Sequence, residues 1–464
     1  MCESRGGLIR EACMADVWKR GTGLGDVRLD ARAALMLDQI VAQHSLVLKR
    51  IGNGRAGTLA AGRLLASEKV APERLLAAEV ARTQLAIRGR RIVAAQDTTE
   101  INFAGRDKRR RGLGPAGDGV SKGFFIHPVI AIDADAEAVL GVLHAHFWTR
   151  ADEPVSHRHR RPFGERESAR WLEGCNAAAK HGAEAASVVV VGDRESDIFQ
   201  VLSQTPPGCD VIVRARHDRH LSDGGSAFSA LAASEAAGSA LVKVASKGIG
   251  DKGRTARVVI RFLSADVTQQ PRMRSKTNAD SALKLGFIEV CEVDTPAGAE
   301  PLQWRLVTTL PVASLADACE IIRLYRLRWR IEEVFRALKK DGMRLEETQV
   351  QEARAVMNLA ALGLAAAVRI IQLVDARDGS SRPATDVMDD ADITHVGRIS
   401  RSLEGKTERQ KNKWPNGGLP WLAWVVARLG GWDCYYGKPG PKTMAHGWDR
   451  LAAMMAGMRL AGAR

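Results

Sequence analysis

Four consecutive valines, Val188 to Val191, followed by Gly192 and Asp193, constrain this chain more than any other stretch. A short, unbroken β-branched run bounded by a glycine reads as a strand buried on both faces, at the centre of an α/β sheet. The acid at its end then lies at the sheet edge, where ligands gather in such folds. An ionised Asp there is costly to desolvate unless it is paired or binds a cation. Capping the turn that follows is the plainer use of the same residue, and the two are compatible. Arg91-Ile-Val-Ala-Ala-Gln-Asp97 has the same form, a strand ending at an acid, with Thr98 and Thr99 just beyond. An Asp that merely starts a turn would look the same.

The other elements arrange themselves around these two strands. Phe124–Asp133 and Ala138–Thr149 read as strands, Gly164–His181 as a helix and Asp210–Arg216 as a further strand. The order strand, strand, strand, helix, strand, helix, strand predicts an antiparallel meander followed by α/β crossovers. From about 218 to 310 short β-like runs (Val258–Phe262, Leu285–Val293, Trp304–Thr309) predict a β-rich insertion. Helices are expected from about Leu315 to Asp341 and from Arg354 to Val374. The predicted fold class is α/β, a mixed sheet flanked by helices. Helical regions precede and follow it, giving expected domains 1–75, 76–375 and 376–464. The polar stretch 376–417 is expected to be loops and a linker.

The formal net charge is +14 and the pI about 9.7, which points to a polyanionic partner. Arg28, Arg32, Lys49, Arg50, Arg55 and Arg63 lie in the N-terminal helical region, and a basic loop runs from Arg106 to Gly112. A solvated surface and a DNA-binding domain fit these charges equally. An anionic membrane is the rival partner. The N-terminus has no long apolar run, so no signal peptide is expected. The most apolar stretch, Met357–Val374, is interrupted by Arg369 and reads as a buried core helix. Seven cysteines at irregular spacing, none in a Cys-x-x-Cys pair, argue against a disulfide framework or a structural zinc site and fit a reducing cytoplasm.

The densest local signal lies between Tyr325 and Lys339. At about 100° per residue, Tyr325, Arg328, Glu332 and Lys339 share an arc of about 60° on one helix. Leu324, Leu327, Ile331, Val334, Phe335 and Leu338 occupy a separate arc, from about 180° to 280°. A phenol, a guanidinium, a carboxylate and an ammonium thus run in file beside a core face. A solvated amphipathic helix with internal ion pairs gives the same pattern. Two strand-end acids upstream in a basic protein favour the other reading, in which Asp97, Asp193 and Glu332 converge. Three carboxylates suit two divalent cations, and hard oxygen donors favour Mg²⁺, with Mn²⁺ as a substitute. Arg328 and Lys339 would then meet a phosphate, and Tyr325 would add a hydrogen bond.

The pattern Tyr325-x2-Arg328-x3-Glu332-x6-Lys339 resembles the Y-R-E-K signature of bacterial insertion-sequence transposases of family four, the transposon-five type. Asp97 in Asp-Thr-Thr and Asp193 in Gly-Asp-Arg-Glu-Ser-Asp-Ile resemble that family's first two acids. Leu24-Gly25-Asp26 through Arg32, Gly123-Phe-Phe-Ile-His-Pro128 and Val425-Val-Ala-Arg-Leu-Gly-Gly431 are similar to it as well, so the likeness covers nearly the whole chain.

The resemblance implies a DDE enzyme with an RNase H-like core, an N-terminal domain that binds transposon ends, and a C-terminal domain that forms a homodimer on double-stranded DNA. It implies that Trp304 stacks on a flipped base and that Arg214 contacts DNA. A core tryptophan in a strand is the plainer reading of Trp304. Close relatives have His three residues past the third acid; this chain has Phe335, followed by the basic Arg336. The activity implied is cut-and-paste transposition through a hairpin. A catalytically silent end-binding regulator and a different RNase H-like nuclease, such as a junction resolvase, are the alternatives.

Overall fold

The computed structural model describes residues 24–43, 45–103, 110–117, 121–151, 161–244, 254–268, 282–340, 343–388 and 390–462. Cys2, Cys13 and residues 106–109 of the basic loop lie outside them, and the five described cysteines are free.

Eleven strands form one mixed sheet: β1 (Arg91–Gln96), β2 (Thr99–Asn102), β3 (Gly114–Ala116), β4 (Ser121–Asp133), β5 (Val139–Trp148), β6 (Ser187–Gly192), β7 (Cys209–Arg214), β8 (Gly238–Val244), β9 (Arg254–Val267), β10 (Leu283–Val293) and β11 (Gln303–Thr308). β1 and β5 pair antiparallel with opposite edges of β4, which is the expected meander. The valine strand β6 is central and runs parallel to both β1 and β7. Alternate side chains along the strands feed two cores. Val93, Ala95, Val189 and Val191 join one, while Ile92, Ala94, Val188 and Val190 join the other. The helix Arg170–His181 covers the second face through Trp171, Cys175 and Ala178.

The expected insertion extends this sheet. β11 pairs antiparallel with β7, and β10, β9 and β8 follow outward. β2 and β3, both short, are additions that the sequence reading lacked. The 376–417 stretch also differs from expectation, because it contains a helix, Asp390–Leu403. Val396 and Ile399 are buried there, with Ile393 and Leu403 packed alongside, a helical spacing hidden among polar residues.

The helix Ala353–Ala376 is the hub of the other face. It is long and apolar enough to cross a membrane, but 94% of its most apolar window is buried inside the protein. The helices Val27–Gln43 and Arg55–Ala66 pack on it from the N-terminal side, and Leu419–Leu429 and Pro441–Gly462 from the C-terminal side. Asn358 on this helix donates to the Leu65 carbonyl at 2.8 Å and so fixes the turn after the N-terminal helices.

A buried ionic link ties the helix Pro72–Ala86 to the 380s. Arg82 Nη2 donates to Glu79 Oε1 at 2.6 Å, and its other Nη donates to the Asp386 carbonyl. Removing one partner strands a buried charge, which costs about 3–5 kcal/mol. Glu79→Ala is therefore expected to lower the urea-unfolding free energy by about that much. Joint replacement of Glu79 and Arg82 by Met is expected to cost less than the single change.

Candidate active site

The β1–β6 register sets the site. Ala95 lies opposite Val191, and one further step along each strand brings Gln96 level with Gly192. The next residues are Asp97 and Asp193. Two carboxylates therefore leave neighbouring parallel strands at the same level, with the strands about 5 Å apart. Asp193 also caps the turn that follows it: its Oδ1 accepts from the Glu195 backbone N–H at 2.8 Å. The capping reading of this residue is met. The turn is tight, since a Cβ on Gly192 would meet Ser196 Oγ at 2.3 Å. Asp197, fully buried, holds the turn down by accepting from the backbone N–H groups of Arg216 and His217 at 2.6 and 2.8 Å.

The third acid comes from the helical run Leu315–Lys339, which is broken once by a 3₁₀ turn, Leu327–Trp329. A Ser314–Asp317 capping box starts it. Its predicted core face is buried in full: Leu324, Leu327, Ile331, Val334, Phe335 and Leu338 are each 6% exposed or less. That packing turns Arg328, Glu332, Arg336 and Lys339 toward the sheet edge.

A cleft of about 440 Å³ opens there, lined by Asp97, Asp193 and Glu332 together with Arg328, Trp329, Arg336 and Lys339. Arg328 Nη1 donates to Asp97 Oδ2 at 2.6 Å and lies 3.9 Å from Glu332 Oε1. Lys339 Nζ donates to the Glu100 carbonyl at 2.7 Å. Tyr325 is buried behind Arg328, and burial raises its pKa above the usual value, so it remains a neutral phenol. Arg214 lies near Tyr325, Arg328 and Asp193 at the end of β7. Trp304, on the adjoining β11, is half-buried and packed against the core, outside the residues lining the cleft. Arg32 is exposed on the helix Val27–Gln43 and does not line the cleft. Trp329 was missed by the sequence reading. It is 57% exposed in the cleft, and its place on the wheel, about 100° from Arg328 and off the core arc, was the available signal.

Burial pushes the Asp97 carboxyl up to about 7; the Arg328 guanidinium opposes this, and the carboxylates of Asp193 and Glu332 add to it. The three acids thus share one field. No set of three His, Cys, Asp or Glu among the described residues is gathered closely enough to hold an ion. Arg328 is the counter-charge among these acids, 2.6 Å from Asp97 Oδ2 and 3.9 Å from Glu332 Oε1. The donor set itself, carboxylate oxygens under mutual repulsion, fits a hard divalent cation.

An α/β core with two strand-end aspartates and a helix-borne glutamate around a basic-rimmed cleft suits metal-assisted phosphoryl transfer on a polyanion. The family model described as a transposase DDE domain matches residues 97–369, more than half of the chain. The chain belongs to this family, and its core is of the RNase H-like type. It is a transposase, and its substrate class is DNA. The match begins at Asp97 itself and spans all three acids.

A carboxyl whose folded pKa exceeds its unfolded one favours the folded state at low pH. Here that contribution is complete below about 3.8 and is lost as pH rises through about 7. In EDTA, the wild type is expected to lose stability across this window relative to Asp97→Asn, by an amount on the order of 4 kcal/mol. Urea unfolding at both ends of the window measures it. Parallel curves for the two proteins would contradict the buried, repelled state of Asp97.

Proposed function

We propose that this chain is a cut-and-paste DNA transposase of the Y-R-E-K subtype, with Asp97, Asp193 and Glu332 as its catalytic acids. The supporting observation is their shared cleft, with the basic side chains of the same helix along its rim. The three carboxylates would hold two Mg²⁺ ions, with Mn²⁺ as a substitute; when bound, these supply the charge neutralisation that phosphoryl transfer requires. Arg328 leaves Asp97 for a phosphate oxygen, where its planar fork suits bidentate contact. Lys339 and Arg336 hold flanking phosphates. Tyr325, buried behind Arg328, would add a hydrogen bond as that arginine engages the phosphate, and Arg214 extends the positive rim. Trp304 and the exposed Trp329 offer aromatic faces to unstacked bases at the cut end.

In this reading water nicks one strand at the transposon end. The freed 3′-hydroxyl attacks the opposite strand and closes a hairpin, which is reopened before strand transfer into target DNA. Residues 1–75 would bind terminal inverted repeats through Arg32 and its neighbours. Residues 76–375 would carry the chemistry, and 376–464 the homodimer contacts of a synaptic complex at the bacterial nucleoid.

The close Arg328–Asp97 pair favours a second reading, a silent regulator that binds ends without cutting. DNA from the flanks of the gene, where terminal inverted repeats would lie, is the substrate that separates the two. Asp97→Ala, Asp193→Ala and Glu332→Ala should each lower Mg²⁺-dependent end cleavage by roughly 10³-fold or more, the equivalent of several kcal/mol, while keeping end binding. Binding without cleavage by the wild type in any divalent ion would leave the regulator standing. End affinity should fall by roughly 10³-fold between about 50 and 200 mM salt if six or more phosphates are contacted. A flat salt response would remove the basic surfaces as DNA footprints.

A further inference from the structure

Arg170, at the start of the helix Arg170–His181, has a buried guanidinium aimed at both acid-bearing loops. Its side chain is 9% exposed and lies near the Trp148 and Trp171 rings, 5.5 and 5.3 Å from their centroids. It donates from Nε to Thr98 Oγ1, from Nη1 to the Glu167 carbonyl and from Nη2 to Glu195 Oε2, each at 2.9 Å. Thr98 and Glu195 are the residues that engage the two acids through their backbone. The Thr98 N–H donates to Asp97 Oδ1 at 2.7 Å, and the Glu195 N–H donates to Asp193 Oδ1 at 2.8 Å. One side chain thus spans the two loops, bonding to the first residue after Asp97 and to the second residue after Asp193.

The same arginine heads a relay behind Asp97. A guanidinium only donates, so Thr98 Oγ1 accepts from it. Gln96 Oε1 only accepts, so the single proton of the neutral His127 ring faces it, and Thr98 Oγ1 donates to His127 Nδ1 at 2.9 Å. The ring proton of His127 is then on Nε2, which donates to Gln96 Oε1 at 3.2 Å. Gln96 Nε2 in turn donates to Cys175 Sγ at 3.5 Å. Complete burial, with the Arg170 charge close by, holds the His127 pKa well below the usual histidine range, as the neutral relay requires. Gly174 makes room for it: a Cβ there would meet Gln96 Oε1 at 2.1 Å. Both neighbours of Asp97 in the chain, Gln96 and Thr98, are thereby held from the Arg170–His181 helix.

Two carboxylates at adjacent strand ends repel, and the loops carrying them would splay if nothing crossed between them. We infer that Arg170 is a positioning residue for the acidic cluster: acting through Thr98 and Glu195, it sets the separation of Asp97 and Asp193 at which a divalent cation binds. This rests on the reading of those acids as cation ligands. Arg170 bonds to neither acid directly, and it is separate from the Tyr325–Lys339 file.

The test is Mn²⁺ binding by the full-length chain without DNA, read as free-ion signal by electron paramagnetic resonance, beside thermal unfolding in EDTA. Thr98→Ser keeps a hydroxyl that accepts and donates, and should bind like the parent. Thr98→Val is nearly isosteric and loses both bonds; Arg170→Lys keeps the charge but not the three-way fork. Each should weaken Mn²⁺ binding by about 10–100-fold in folded protein, the range for partners that orient metal ligands. Parent-like Mn²⁺ affinity in folded Thr98→Val and Arg170→Lys, with binding lost in Asp97→Ala, would overturn the positioning role and leave the cation reading intact. A lowered unfolding temperature with unchanged Mn²⁺ affinity would overturn it too, as a purely structural contact. A parent chain that binds no Mn²⁺ would remove the cation reading and the positioning role together.

Discussion

Parallel pairing of β1 with β6 is the constraint from which the rest of the structure follows. A one-residue slip in that ladder would turn every side chain of β1 to the opposite face and destroy both cores. The hydrophobic pattern therefore fixes the register, and the register brings Asp97 and Asp193 out side by side. Sheet stability and acid placement are one geometric fact here. The chain cannot relax the repulsion between the two carboxylates by sliding a strand, so relief has to come from opposite charge.

That charge arrives from two sides. The helical run Leu315–Lys339 packs its apolar face on the sheet and brings Arg328 against Asp97 at 2.6 Å. From the other face of the sheet, Arg170 reaches Thr98 and Glu195. Their placements differ in consequence. Arg328 is at the cleft surface, bonded to an acid, which in the proposed function it would exchange for a phosphate. Arg170 is 9% exposed and held by three acceptors, so it has no comparable alternative partner.

Much of this was legible in the sequence because it depends on local periodicity. The valine run, the strand ending at Asp97, the meander and the buried face of the third helix each follow from residues adjacent in the chain. The file from Tyr325 to Lys339 was readable as a helix face, although its 3₁₀ turn at Leu327–Trp329 was not, since ideal helical spacing predicts no break. The helix Asp390–Leu403 was hidden because its apolar residues are sparse among polar ones. β2 and β3, four and three residues long, carry too little pattern to stand out. The link between Arg170 and Thr98 had no local signal at all: 72 residues separate them, and only the folded sheet brings them together.

The same distinction orders the site. The residues proposed to touch substrate lie on a helix face or at a strand end, where spacing betrays them. Residues that hold those positions are scattered, because a supporting contact need only be near in space. Arg170, His127 and Asp197 come from three different elements, yet each fixes a residue beside an acid or in the turn an acid caps. A buried polar group of this kind is tolerated only when its bonds are met, and a relay in which each donor has its acceptor meets that condition in a single arrangement. Removing the hydrogen-bonding group of any member leaves a neighbour unsatisfied. Gln96 and Thr98, the chain neighbours of Asp97, are held by that mutual dependence, and in the positioning proposed for Arg170 it is what would fix the separation of the acids.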